Sequence, residues 1–167
     1  YNPIEIEMIN QLKDEKLVYP IRDKDEKIII SIGRLVEQKD HFTLIKAFAI
    51  LQSMVNAKLI ILGKGPLDSE LKSLTEQLGI KDKVYFLGFK RNPYKYINMS
   101  DVFVLTSKVE GFGHVIVESM VIGTPVISTD CKTGPREILG DNEYGILVPV
   151  GDYEELSFQI FRLLQDE

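Results

Sequence analysis

Cysteine occurs once in these 167 residues, at Cys131, and histidine twice, at His41 and His114. A single thiol excludes an internal disulfide and fits a reducing compartment. Cys131 also lacks the partners that nucleophilic catalysis needs. The two isolated histidines offer no spacing suited to a metal site. No apolar run approaches the roughly 20 residues needed to span a bilayer. Lysine and arginine total 20 against 25 acidic residues, a net charge of −5 without a long basic cluster, so nucleic acid is not an expected partner. Internal repeats and low-complexity tracts are absent, and no signal peptide is expected ahead of the fold.

What is there suits an ordinary globular domain. The hydrophobic share is 44% and the charged share 27%, and the length suffices for one full core. The chain opens on Tyr1-Asn2-Pro3-Ile4 rather than on Met, which is expected of a domain cut from a longer protein at a linker.

Strand-like apolar runs alternate with helix-period segments. Strands are expected at 27–32, 57–62, 83–87, 102–105, 125–128 and 144–148. Helices are expected near 40–54, 67–78, 93–99, 113–122, 135–139 and 152–165. Phe42, Ile45, Phe48, Ala49 and Leu51 recur at helical spacing behind Asp40, a suitable N-cap. The strands are apolar throughout, which favours burial on both faces and a parallel sheet. Repeated β-α units with short loops predict an α/β fold, a doubly wound Rossmann-like sheet. In such sheets ligands bind beyond the carboxyl ends of the strands, and several motifs fall there.

The most informative of them is Glu110-Gly-Phe-Gly-His-Val-Ile-Val-Glu118. Gly111 and Gly113 let backbone approach a ligand, and residues 113–115 open a helix whose free N–H groups can receive an anion. The two carboxylates can accept hydrogen bonds from hydroxyls, so the element suits a sugar nucleotide. Acidic residues in early helical turns also simply complement the helix dipole.

Four further loops accompany it. After the first strand, Gly33 permits a tight turn, while Arg34 and Lys39 either hold a diphosphate and neutralise a leaving group or are solvated loop residues. After the second, Gly63-Lys-Gly65-Pro66 is either a binding loop or a plain turn, since it lacks the third glycine of a dinucleotide fingerprint. After the third, Phe89, Lys90, Arg91 and Asn92 either grip a nucleobase or form a polar connector capped at Asn92 before Pro93. After the fifth, Gly134-Pro135-Arg136-Glu137 starts a short helix, with Pro135 at its first position.

Together these residues resemble the donor-binding, C-terminal half of a retaining GT-B glycosyltransferase, in particular glycosyltransferase family 4 (glycosyl transferases group 1). The matching pieces are Gly33-Arg34-Leu35 with Lys39, Gly63-Lys-Gly-Pro66, Phe86-Leu-Gly88, Glu110-Gly-Phe-Gly with Glu118, and Gly134-Pro-Arg-Glu-Ile138. They keep the family's order, and Asn2-Pro3 resembles its interdomain linker.

The resemblance implies residues 1–26 as interdomain linker and edge helix, and 27–167 as the nucleotide-sugar binding domain. The N-terminal acceptor domain would lie outside this chain, and the chain alone would bind donor with little transfer. Arg34, Lys39 and Glu110 would form the catalytic group. Arg34 and Lys39 would take the donor diphosphate, and Glu110 would orient the transferred sugar rather than attack it. Gly33, Gly63, Gly65, Gly111, Phe112, Gly113, His114 and Val115 would surround the donor, with Glu118 on the ribose hydroxyls and Phe89 to Asn92 near the base. The donor would be a nucleotide diphosphate sugar, a UDP-sugar favoured, with no cofactor and no metal. Asp23-Lys24-Asp25 spells the Asp-x-Asp of metal-dependent transferases, yet it sits in a charged run expected to be solvated. The implied setting is cytoplasmic, in polysaccharide, lipopolysaccharide or glycan assembly. Any membrane contact would be made at its inner face through the other half of the protein.

A non-catalytic nucleotide-binding module and a sugar-nucleotide epimerase half are the alternatives. A dinucleotide oxidoreductase fits least, because Gly33-Arg-Leu replaces Gly-x-Gly-x-x-Gly after the first strand.

Overall fold

The computed structural model describes residues 4–17, 23 and 25–165. The Asn2-Pro3 resemblance and Lys24 lie outside the described residues.

Six strands form one sheet: β1 (Lys27–Ile32), β2 (Ala57–Leu62), β3 (Val84–Gly88), β4 (Val102–Leu105), β5 (Val126–Thr129) and β6 (Ile146–Val148). Every neighbouring pair is parallel, in the order β3-β2-β1-β4-β5-β6. The sheet is Rossmann-like, as expected, and the chain changes its direction of winding between β1 and β4.

Side-chain alternation explains why both sheet faces are covered. Ile29, Leu59, Ile61, Val102 and Val104 face one layer, formed by α2 (His41–Leu51), α3 (Asp68–Gln77) and α7 (Tyr153–Gln165). Ile28, Ile30, Ile60, Leu62 and Phe103 face the other. There they meet Ile9 of α1 (Ile6–Leu12), Ile97 of α4 (Tyr94–Asn98), Ile116 and Ile122 of α5 (His114–Ile122) and Leu139 of α6 (Pro135–Leu139). Burial on both faces is what the uninterrupted apolar strands require.

The predicted elements shift slightly, for local reasons. The fifth strand starts at Val126 rather than 125, since Pro125 has no N–H and contributes only its carbonyl, to Phe103 N. Tyr144 and Gly145 belong to a turn, with Tyr144 N bonded to the Leu139 carbonyl, so β6 begins at Ile146. The helix expected near 40–54 ends at Leu51. Single 3-10 turns at Glu37–Lys39 and Lys81–Lys83 were not anticipated.

The segment before β1 is tied to the sheet's opposite end. Glu26, buried, takes Lys58 at 2.7 Å and Lys83 at 3.0 Å, and Asp23 also accepts from Lys58 at 3.0 Å. Asp23 is thus paired despite its exposure, where a purely solvated stretch was expected.

Candidate functional site

Because the strands run parallel, the loops after β1, β2, β3, β4 and β5 gather along one sheet edge. Two of them meet at the point where winding reverses.

The loop after β1 makes its 3-10 turn at Glu37–Lys39 and then turns sharply at Asp40, whose φ of 47° is left-handed. Aspartate tolerates that conformation and here also caps α2, its carboxylate accepting from Thr43 N at 3.4 Å and Thr43 Oγ1 at 2.7 Å. Lys39 is thereby aimed at the loop after β4. Gln38 fastens the two loops: its carbonyl accepts from Lys108 N at 2.9 Å, and its side chain donates to the Val109 carbonyl at 2.9 Å.

Lys39 Nζ forms an ion pair and hydrogen bond with Glu110 Oε1. Glu110 is 8% exposed, and the same oxygen accepts a 2.6 Å bond from Ser107 Oγ. Backbone is held as firmly. Thr106 Oγ1 donates to the Lys39 carbonyl at 3.0 Å, Thr129 Oγ1 to the Ser107 carbonyl at 2.6 Å, and Thr133 Oγ1 to the Glu110 carbonyl.

Beyond Glu110, Gly111 is exposed and open, and Gly113 adopts φ 82° at the N-cap of α5. The first-turn N–H groups of a helix have no acceptor within it, so Gly113 to Val115 present donors and a positive dipole end. Gly134, at φ 85°, brings the start of α6 against this loop. A Cβ there would lie 2.6 Å from the Phe112 carbonyl oxygen. The Phe112 and His114 rings are 5.0 Å apart, and His114 Nδ1 is buried without a hydrogen-bond partner among the described residues. Val115 packs towards the core.

Glu118, one turn further along α5, is half-buried and accepts from Tyr94 Oη at 3.4 Å. Burial raises its pKa above the ordinary carboxylate range, against the opposing pull of His114 and the Tyr94 bond.

On the other side, at the ends of β1, β2 and β3, lies a cavity of ≈ 490 Å³. Gly33, Arg34, Gly63, Lys64, Phe89 and Lys90 contribute to its wall. Phe89 is 72% exposed, an aromatic face held in water beside three cationic side chains. Gly33 joins the two halves: it lines the cavity, and the stem of Lys39 lies against it, 3.4 Å from where a Cβ would stand.

Of the donor residues expected in the loops after β2 and β3, Gly65, Arg91 and Asn92 lie outside the cavity wall. Gly65 is absent from the cavity wall, and its open face is filled by the Leu35 backbone, so packing explains that glycine. Asn92 uses its amide inside the fold. Nδ2 donates to the Leu12 carbonyl at 2.9 Å and to Glu15 at 3.0 Å, and Oδ1 accepts from Tyr94 N at 3.1 Å. It therefore ties α1 to α4. Arg91 is exposed and lies outside the cavity wall.

Lys64 and the hydroxyls of Thr106, Ser107, Thr129 and Thr133 were not singled out from sequence. Paired hydroxyl residues ending two apolar runs, at 106–107 and 128–129, were the available signal.

Among the described residues no three His, Cys, Asp or Glu side chains group as a metal site, and no helix is long and apolar enough to cross a membrane.

Residues 13–167 match the family model described as glycosyl transferases group 1. Over 168 residues the chain is 43% identical to N-acetylgalactosamine-N,N'-diacetylbacillosaminyl-diphospho-undecaprenol 4-alpha-N-acetylgalactosaminyltransferase of Campylobacter jejuni, covering 100% of this chain and 44% of that protein. It is 36% identical over 159 residues to N-acetyl-alpha-D-glucosaminyl L-malate synthase of Bacillus anthracis, covering 95% of this chain and 40% of the relative. Among solved structures, HepE of Anabaena in complex with UDP-glucose superposes with a TM-score of 0.79 at 30% identity, over 85% of this chain and 40% of HepE. The chain thus spans less than half the length of each.

Proposed function

The chain belongs to the glycosyl transferases group 1 family, and from that membership we propose that it is the donor-binding domain of a retaining glycosyltransferase using a UDP-sugar. The observation that carries the reading is the juxtaposition at the sheet's switch point. A cavity bearing Arg34, Lys64, Lys90 and Phe89 adjoins, through Gly33, the Lys39–Glu110 pair.

The parts divide the donor between them. Phe89 offers a stacking face to the base, and Glu118 offers a carboxylate to the ribose. Arg34 and Lys39 meet the diphosphate from one side, and the N-terminus of α5 meets it from the other. As the glycosidic bond breaks, negative charge grows on the leaving diphosphate, and these fixed positive groups stabilise it. Glu110, held on one oxygen, orients the sugar's hydroxyls. Attack by the acceptor on the same face, assisted by the leaving phosphate, retains configuration.

UDP is favoured because HepE, at 30% identity, was solved with UDP-glucose. An N-acetylhexosamine is the favoured sugar, since the Campylobacter relative's name specifies N-acetylgalactosaminyl transfer. The alpha linkage in both relatives' names fits retention from an alpha-configured donor. The acceptor site and efficient transfer belong to a further domain of the whole protein, which we place in the cytoplasm.

Calorimetric titration with UDP, GDP and ADP tests the reading. UDP should bind selectively, and Arg34→Ala should weaken it about tenfold or more. Equal affinity for all three, or an Arg34→Ala variant that binds as well as the parent, would overturn it.

A further inference from the structure

Glu110 has a partner that its proposed role does not include. Ser107 is completely buried, and its hydroxyl donates to Glu110 Oε1 at 2.6 Å, in the short range of bonds to a charged acceptor. Lys39 bonds the same oxygen, and neither bond uses Oε2. The Ser107 carbonyl is itself fixed by Thr129 Oγ1 at 2.6 Å, and the Glu110 carbonyl by Thr133 Oγ1. The serine is therefore clamped from β5 while it clamps the carboxylate.

Lys39 has two anions to serve once donor arrives. A diphosphate carries more charge than one carboxylate and draws the ammonium towards it. With Lys39 shared or withdrawn, a buried carboxylate lacking any other donor would turn or be left poorly satisfied. Ser107 supplies a bond that no phosphate can compete for, because the hydroxyl is sealed from the cavity and from solvent.

We propose that Ser107 is the positioning residue of Glu110: its hydroxyl anchors Oε1 when Lys39 engages the donor diphosphate, and so presents Oε2 to the transferred sugar. The inference rests on the donor reading above. Its signature is a selective loss. Without the hydroxyl, recognition of the diphosphate persists while recognition of the sugar falls.

The test titrates the chain with UDP, UDP-glucose and UDP-N-acetylgalactosamine by calorimetry, for the parent, Ser107→Ala and Ser107→Thr. The sugar-dependent gain is the ratio of the UDP dissociation constant to that of the better UDP-sugar. Ser107→Ala should leave UDP affinity within about twofold and reduce the gain by up to about tenfold, and Ser107→Thr should restore it. Thermal unfolding of each variant establishes that it is folded. If the alanine variant unfolds, Ser107→Cys, close in volume and a weaker donor, reads the same ratio. A full gain in Ser107→Ala, or equal weakening of UDP and UDP-sugar, overturns the positioning role and leaves the donor reading intact. A parent chain that binds UDP but shows no gain for either sugar removes the proposed role of Glu110, and the inference falls with it. A parent that binds none of the three overturns the donor reading itself.

Discussion

Lys39 and Glu110, 71 residues apart in the chain, form an ion pair across the point where the sheet reverses its winding. The lysine comes from the loop after β1 and the glutamate from the loop after β4, so the pair exists only when the two central strands are in register. It links the stability of the fold's centre to the readiness of the site.

That link has a measurable cost when broken. Lys39→Ala leaves the carboxylate of Glu110 buried with Ser107 as its remaining side-chain donor. Stability in urea should fall by about 1–3 kcal/mol. Adding Glu110→Gln should recover part of the loss, because the uncompensated charge is then gone. A Lys39→Ala variant as stable as the parent would mean that the pair contributes little.

His41 gives the protein an acid-sensitive element beside the site. It is buried at the start of α2, and its Nδ1 has no partner among the described residues. Burial first, and then the charge of Lys39, lower its pKa from 6.5 to about 4, against a weaker opposing effect of Asp40. The unfolded chain takes up the proton near pH 6.5, whereas the folded chain resists it until about pH 4. The stabilisation is therefore complete above pH 6.5 and is lost as pH falls towards 4. At 1.36 kcal/mol per pH unit the loss amounts to about 3 kcal/mol. Urea unfolding between pH 4 and 7 should show this slope, and His41→Leu should flatten it. An unchanged slope in the variant would assign the acid sensitivity elsewhere.

Gly63 serves the site by letting two loops touch. Its φ is 146°, and a Cβ there would strike the Gly33 carbonyl. Gly63→Ala should destabilise the chain by about 2–4 kcal/mol and weaken UDP binding at the same time, since both residues line the cavity. Thermal unfolding with parallel calorimetry checks both effects. A variant that unfolds and binds like the parent would show that the loops part easily.

Diphosphate capture by Arg34, Lys39 and a helix N-terminus predicts independence from divalent ions. UDP affinity should be the same within about twofold in EDTA and in millimolar magnesium. A loss of about tenfold or more in EDTA would place a metal between the protein and the diphosphate.

Much of this architecture is legible in the sequence. Strand positions followed from continuous apolar runs, and Asp40 capped α2 as its side chain and place suggested. The parallel, doubly wound sheet followed from the alternation of strands and helices, because parallel strands joined by helices leave few arrangements. What escaped was whatever depends on long-range approach. Nothing local in Lys39 or Glu110 announces a partner 71 residues away. The packing of Gly65 and the hydrogen bonds of Asn92 were hidden for a related reason. A glycine fitted to a neighbouring backbone and one fitted to a ligand look alike in sequence, as do an amide bonded to Leu12 and one facing a base. Thr106, Ser107 and Thr129 went unremarked because hydroxyl residues commonly end strands without further consequence.

The most direct test of the account is a crystal structure of the chain bound to UDP. The account predicts the diphosphate between Arg34 and the N-terminal turn of α5, the ribose within hydrogen-bond reach of Glu118, and the base against Phe89 in the ≈ 490 Å³ cavity. A diphosphate bound away from Arg34 and α5, or a base outside that cavity, would contradict it.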